Sequence, residues 1–374
     1  MRLLYLYDLP LGAPVAAPLQ ILKTGRALAE LGVDVTTGWA SVPPDSQWQA
    51  QYGISPHERL KAETFFTRLT RWRLRARLRD VVPAFDIVMS RGETGVRVFQ
   101  ALRHLPQRPP FVFEVHRRAQ AIGGLFHGLS PSAATRLERE AIRGADGLAF
   151  ISNGIQRAMR ESHGFEVPDV VLPSGVDVDS DPPATERNLD LIYAGKLEQR
   201  KGIDLLLEAM QYIDANLTLI GGSTQEVATC KAKAQQAGVE NRLNALGYVP
   251  PGQVRPYFRR ARVGLCPLPA GTSEVSEHFT SPMKIMEMMA CRTPIVASDV
   301  PSVREILSHE VNALLVPPND AKALAAAASR LLSDPALARR LADRAAEDVL
   351  QYTWPARADR LLKLLHTVIG RHAV

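Results

Sequence analysis

The chain has 374 residues, 46% hydrophobic and 22% charged, which suits a globular protein of two or three domains and argues against disorder. Its formal charge of +6 fits an acidic partner: a nucleotide, an anionic membrane face or a nucleic acid. The opening MRLLYLYDLPLGAP has too short an apolar run before Asp8 and Pro10 for a signal-peptide core or a membrane span, so a cytoplasmic protein is expected. Cys230, Cys266 and Cys291 form no CxxC pair and have no histidine at ligand spacing, so buried thiols are expected and neither disulfides nor a zinc site.

Short apolar runs alternate with amphipathic stretches along the whole chain, the pattern of parallel α/β sheets built from βαβ units. Strands are predicted at Arg2 to Tyr7, Val33 to Trp39, Ile87 to Ser90, Phe111 to Val115, Gly147 to Ile151 and Val170 to Leu172. SGVDVDSDPPATERN, residues 174 to 188, has two prolines and no periodicity, which predicts a surface linker. The alternation restarts with strands at Leu189 to Ala194, Leu217 to Ile220, Leu243 to Leu246, Val263 to Cys266, Ile295 to Ala297 and Ala313 to Val316. Helices at Asp320 to Ser333 and Pro335 to Gln351 close this half, and Leu361, Leu362, Leu364 and Leu365 mark one more amphipathic helix.

In open parallel sheets ligands sit at the carboxyl ends of the strands, so the loops there are the candidate site. Gly12, after the first strand, is either a phosphate-loop glycine or an ordinary turn; the GxGxxG glycines of a dinucleotide enzyme are missing. In AGKLEQRKGIDLLLEAM, Gly195 turns the chain, Lys196 and Lys201 bracket that turn, and a helix from Gly202 points its amino end at whatever the lysines hold. Either lysine alone reads as part of a solvated basic loop. Together with the turn Gly221-Gly222 after the next strand, two cations at a helix start suit a pyrophosphate. In SPMKIMEMMACRTPIVASDVPSVREI, Glu287 and Lys284 lie in an otherwise apolar segment. Thr280 or Ser281 is expected to cap this helix and Pro282 to open its first turn. A carboxylate one turn on accepts two hydrogen bonds, as the vicinal hydroxyls of a ribose offer.

With AGKLEQRKGIDLLLEAM, LIGG, LGYVP, SPMKIMEMMACRTPIVASDVPSVREI and YTWPARADRLLKLL, the sequence resembles glycosyltransferase family 4 over nearly its whole length. The resemblance implies an α/β fold of two Rossmann-like domains facing each other across a cleft, the GT-B class. Residues 1–175, joined by a C-terminal helix at about 354–374, would form the acceptor-side domain; 176–188 would be the linker and 189–352 the nucleotide-sugar-binding domain. It implies sugar transfer from a UDP- or GDP-sugar to a hydroxyl acceptor (sugar, glycan or lipid-linked) with retained configuration, no cofactor and no metal, in glycan, polysaccharide or glycolipid synthesis. Lys196 stands where the family pattern G-R-x-x-x-x-K-G has its diphosphate-gripping arginine, and Lys201 matches the lysine. Glu287 falls on the second glutamate of E-x7-E, the ribose ligand, while Phe279 replaces the first; Glu274 and Glu277 are out of register. Gly12, Gly195, Gly222, Tyr248, Val249, Thr280, Ser281, Pro282, Lys284 and Glu287 would line the donor. His116 matches the family histidine near the reacting carbon. It is assigned with Lys196, Lys201 and Glu287 to catalysis, and with Arg91, Glu93 and Glu114 to the acceptor side.

Other readings are a sugar-nucleotide epimerase on the same fold, a non-catalytic sugar-nucleotide-binding protein and a basic membrane-surface protein. A nucleic-acid partner is not expected, because Trp72 is the one aromatic residue among the arginines from Arg68 to Arg79. Within that run a helix with Leu74, Leu78 and Val81 on one face carries Arg73, Arg75, Arg77 and Arg79 beside it. Such a helix is either a solvated face docked by its leucines or a peripheral contact with an anionic acceptor or the inner membrane face.

Overall fold

The computed structural model describes residues 1–13, 15–67, 73–118, 130–178 and 186–372. Linker residues 179–185, and Arg68, Arg71 and Trp72 of the basic run, lie outside the described residues. The chain divides into two compact units, Met1–Gly175 with Trp354–Val374, and Val176–Thr353.

The first unit holds β1 (Arg2–Leu6), β2 (Asp34–Trp39), β3 (Leu60–Thr64), β4 (Ile87–Arg91), β5 (Phe111–Val115), β6 (Gly147–Phe150) and β7 (Asp169–Val171). They form one parallel sheet in the order β3-β2-β1-β4-β5-β6-β7. Its inner strands are buried on both faces: all five residues of β4 and of β5 are out of solvent, as parallel strands covered by helices must be. The edge strand β3, sequence LKAET, was not expected from the sequence; only Leu60 is buried and its charges face outward. Helices α1 (Ala16–Glu30), α2 (Asp45–Tyr52), α3 (Leu74–Val81), α4 (Gly92–Leu102), α5 (Pro131–Gly144) and α6 (Asn153–His163) connect the strands. Ser130 and Ser152 cap the last two by accepting from Ala133 N and Ile155 N, which satisfies otherwise orphaned donors.

In α3, Leu74 and Leu78 are buried, and Val82 of the following turn, rather than Val81, continues that face. Arg75 donates to the His104 carbonyl, Arg77 lies 5.5 Å over the Phe65 ring, and Arg79 pairs with Asp80 at 3.5 Å. Much of the helix's charge is therefore engaged locally.

In the second unit, β8 (Leu189–Ala194), β9 (Leu217–Ile220), β10 (Leu243–Gly247), β11 (Ala261–Cys266), β12 (Ile295–Ser298) and β13 (Leu314–Val316) form a parallel sheet ordered β10-β9-β8-β11-β12-β13. Helices α7 (Ile203–Ala209), α8 (Thr224–Gln236), α9 (Arg255–Arg260), α10 (Met283–Ala290), α11 (Pro301–Arg304), α12 (Ala321–Ser333) and α13 (Pro335–Asp348) cover it. Asp320 and Asp334 cap α12 and α13, and Ser223 with Glu226 makes a capping box on α8. The three cysteines are buried free thiols. A last helix, α14 (Trp354–His372), returns to the first unit and packs on α1 through a face that includes Leu361, Leu364 and Leu365. No described helix is long and apolar enough to cross a membrane.

Candidate active site

The winding of the second sheet reverses between β8 and β11, which makes the loops after these two strands the natural ligand edge. Three glycine turns lace that edge together. Gly195 N donates to the Ile220 carbonyl and Gly221 N to the Gly247 carbonyl. A side chain at Gly221 would meet the Gly195 carbonyl oxygen at 2.2 Å, and one at Gly202 would meet the Pro267 carbonyl oxygen at 1.6 Å, so glycine is required at both. Gly222 packs against Leu197. A 3-10 turn, Gln199–Lys201, precedes α7, so Gly202 is the cap residue and not the first residue of the helix.

Lys201 and Lys284 come together here. Lys201 donates a long hydrogen bond, 3.3 Å, to Ser276 Oγ. The Lys284 ammonium lies 3.9 Å over the Tyr193 ring and 2.9 Å from where a Gly195 side chain would begin, and it has no hydrogen-bond partner among the described residues. Burial, then repulsion from Lys284 and Arg200, depresses Lys201 to about 8. Burial lowers Lys284 as well. These are two desolvated ammonium groups close enough to repel, an arrangement that an anion would relieve.

Lys196 takes no part in it. It pairs with Glu198 at 3.2 Å and is 50% exposed, so the cation that joins Lys201 comes from α10 and not from the position of the family arginine. Glu198, two residues on in the same loop, holds Lys196 and also accepts from Arg200.

Glu287 is half-buried one turn after Lys284. Burial, partly offset by Arg255 and Lys284 but reinforced by Asp177, pushes its carboxyl up to about 7. The start of α10 differs from the expected cap: Pro282 is the cap residue, with no side-chain hydrogen bond to the helix. Its extended backbone places Ser281 and Thr280 before the cap. Phe279 ends a π-helical turn, Val275–Phe279, and is buried. Glu277 does not replace the absent acid: it accepts from Gly271 N at 2.8 Å and so braces its own loop. Tyr248, following β10, is 56% exposed, with Val249 half-buried beside it.

In the first unit Gly12 lies in the turn after β1 with φ 110°, and the remaining candidates gather where β4 and β5 end. Two of them are interior. Glu114 is 0% exposed, accepts from Tyr5 and Arg357, and lies 3.0 Å from His116 Nε2. Arg91 is buried, donates to Gln20 Oε1 at 2.9 Å and to His116 Nδ1 at 2.8 Å, and sits 5.7 Å over the Tyr7 ring. Both side chains are thus engaged by partners inside the unit. His116 reaches the surface in part, and Glu93 pairs with Arg117 at 3.4 Å. Burial and Arg91 outweigh Glu114 and hold His116 down at about 4. Its ring is neutral at pH 7 and is no general base while Arg91 occupies Nδ1. Arg357, Arg255, Tyr193 and Ser276 were not singled out from the sequence. Arginine in an amphipathic helix and tyrosine in a strand carry no signal that separates them from ordinary surface and core residues.

Two family models match adjoining stretches, "Glycosyltransferase Family 4" over residues 20–180 and "Glycosyl transferases group 1" over residues 179–348. The chain is related to the GT-B glycosyltransferases. Phosphatidyl-myo-inositol mannosyltransferase of Mycobacterium leprae is 29% identical over 234 residues, 59% of this chain and 59% of that protein. The chain thus spans well under two thirds of this relative. Among solved structures, a sucrose-phosphate synthase from Thermosynechococcus elongatus superposes with a TM-score of 0.78 at 20% identity, covering 99% of this chain and 100% of the other. Anabaena Alr3699/HepE in complex with UDP-glucose gives 0.75 at 18% identity, covering 98% and 100%. These likenesses show the fold: two Rossmann-like units of the GT-B class.

Proposed function

We propose that this protein is a retaining glycosyltransferase that moves a sugar from a nucleoside diphosphate sugar to a hydroxyl acceptor in glycan or polysaccharide synthesis. The carrying observation is the pair Lys201 and Lys284, two desolvated cations at the glycine-laced edge of the second sheet, with Glu287 one helical turn from Lys284. Lys201, Lys284 and the start of α10 would hold the diphosphate, and Glu287 the ribose. Gly12, Gly222, Tyr248 and Val249 remain donor-side candidates, with His116 and Glu93 on the acceptor side.

In the transfer, the bond from the anomeric carbon to the diphosphate oxygen breaks as the acceptor oxygen bonds to that carbon from the same face. The acceptor proton passes to the leaving phosphate. The two ammonium groups stabilise the charge that grows on the diphosphate, a kind of electrostatic contribution whose removal costs ~10²–10³ in rate. Because both positive charges come from side chains, the reaction is proposed to run without a metal ion.

A panel of UDP-, GDP- and ADP-sugars tests the proposal by calorimetry on the protein and its Lys284→Ala variant, followed by product analysis with and without a sugar acceptor. One donor should bind, lose more than tenfold in affinity in the variant, and be consumed only when acceptor is present. Donor isomerised without acceptor would establish the epimerase reading instead. Binding without turnover would establish a non-catalytic sugar-nucleotide-binding protein.

A further inference from the structure

The buried group around Glu114 has no role in the charge stabilisation described above, yet five titratable or charged side chains meet there with almost no access to water: Tyr5 of β1, Arg91 of β4, Glu114 of β5, His116 just after it, and Arg357 of α14. Each acceptor and donor in it can be assigned. Guanidinium groups only donate, so Arg91 Nη2 at 2.8 Å fixes His116 Nδ1 as an acceptor, and the neutral ring carries its hydrogen on Nε2. That nitrogen lies 3.0 Å from Glu114 Oε1 without an aligned hydrogen bond, and the same oxygen accepts from Arg357 Nη2. The other oxygen accepts from Tyr5.

Arg357 is itself held in one orientation. Nε donates to Thr24 Oγ1 at 3.0 Å, and Nη1 to the carbonyls of Leu172 and Pro173, the latter at 2.7 Å. This uses the planar fork in a way that an ammonium group could not reproduce. Glu114 thus lies between a permanent cation on one side and an imidazole on the other, and the permanent cation has the aligned contact.

We propose that Arg357, 243 residues away in sequence from Glu114, is a positioning residue for His116: by holding the Glu114 carboxylate it keeps the imidazole from pairing with that charge, and with the Arg91 contact on Nδ1 this leaves the ring neutral with its hydrogen on Nε2. The proposal rests on the reading that His116 borders the reacting sugar. It adds to that reading the group that sets its protonation state. The charged or titratable groups around the ring are Arg91, Glu114 and, through Glu114, Arg357 and Tyr5. Removing Arg357 frees the Glu114 carboxylate, the one anion facing His116 among the described residues, to draw the Arg91 guanidinium off Nδ1, and the ring then takes up a proton there.

Nitrogen NMR of ring-labelled histidine, assigned with His116→Gln, tests this between pH 5 and 8. In the unmodified protein the His116 ring should stay neutral with hydrogen on Nε2 throughout. In Arg357→Met it should titrate inside this window, and turnover should fall at least tenfold at pH 6 and recover toward pH 8. Arg357→Lys keeps the charge and loses the fork, and should leave the ring neutral even if the protein melts earlier. Should Arg357→Met fold poorly, the double variant Glu114→Gln with Arg357→Met removes both charges and should restore a neutral ring. A ring that stays neutral in folded Arg357→Met, or that titrates equally in the Lys variant, overturns the proposal. A ring that titrates as expected while turnover is undiminished supports the positioning and instead removes His116 from the reaction.

Discussion

Replacing Lys201 by methionine should stabilise the unliganded protein while weakening nucleotide binding. A Lys201 ammonium held at about 8 against ~10.4 in an unfolded chain costs about 3 kcal/mol to keep charged at pH 7, at roughly 1.4 kcal/mol for each factor of ten in proton affinity. Methionine fills a similar volume without that cost, and the hydrogen bond lost among the described residues is the long one to Ser276, which offsets the gain by about 1 kcal/mol. A net increase of about 1–2 kcal/mol in unfolding free energy is expected. The sign follows from the depressed pKa: between about 8 and 10.4 the unfolded chain binds more protons, so the stability of the unmodified protein rises with pH over that range. The advantage of the variant should therefore fade by about pH 10.5. Urea unfolding at pH 7 and 10.5 measures both points, and calorimetry with the preferred nucleotide should show more than tenfold weaker binding. A Lys201→Met protein less stable than the parent at pH 7, or equally stabilised at both pH values, would refute the picture of Lys201 as a strained, ligand-awaiting cation.

Glu287→Ala should fold normally and lose about tenfold or more in donor affinity by calorimetry, the usual size of a hydrogen bond to a charged group. Nucleotide affinity should peak between about pH 7 and 8: it weakens below as Glu287, held at about 7, is protonated, and above as Lys201, held at about 8, is neutralised. A flat profile from pH 6 to 9 would separate these groups from binding. Turnover should survive EDTA, with NMR of the product showing the donor's anomeric configuration. Loss on chelation restored by Mn²⁺ would contradict the assignment of charge neutralisation to the two lysines. At low salt, flotation with anionic but not neutral vesicles, lost on Arg73→Ser with Arg79→Ser, is expected if the exposed side of α3 meets a membrane. No flotation leaves a soluble acceptor.

How far the sequence could be read depended on what each residue packs against. Phe111–Val115, Leu189–Ala194 and Leu217–Ile220 have the bounds expected from their apolar runs, because strands buried on both faces leave no freedom in register or length. The strand Leu60–Thr64 was illegible because an edge strand needs only one apolar anchor. At the candidate site, glycines and lysines at strand ends announce an anion-holding edge. The partition of the cations was hidden: nothing in AGKLEQRK tells that Glu198 claims Lys196, and nothing in SPMKIME tells that Lys284 crosses to Gly195. The pairing of Glu114 with Arg357 and Tyr5 was hidden for the same reason, since these partners lie 243 and 109 residues away. Local spacing reports the face of an element, and long-range pairing decides which charges on that face are already spent.

The return of α14 to the first unit sets an order of assembly. The second unit is one continuous stretch of chain, Val176–Thr353, and needs no residue beyond Thr353 to close its core. The first unit is made earlier yet must wait: until Arg357 arrives, Glu114 of β5 is without its fixed cation, and the face of α1 that packs on α14 is uncovered. An unfinished amino-terminal half with an apolar helix face open to its surroundings is the species that chaperones hold and that aggregates at high expression. A fragment of residues 1–175 alone should therefore be insoluble, whereas residues 176–353 should be obtainable as a folded piece.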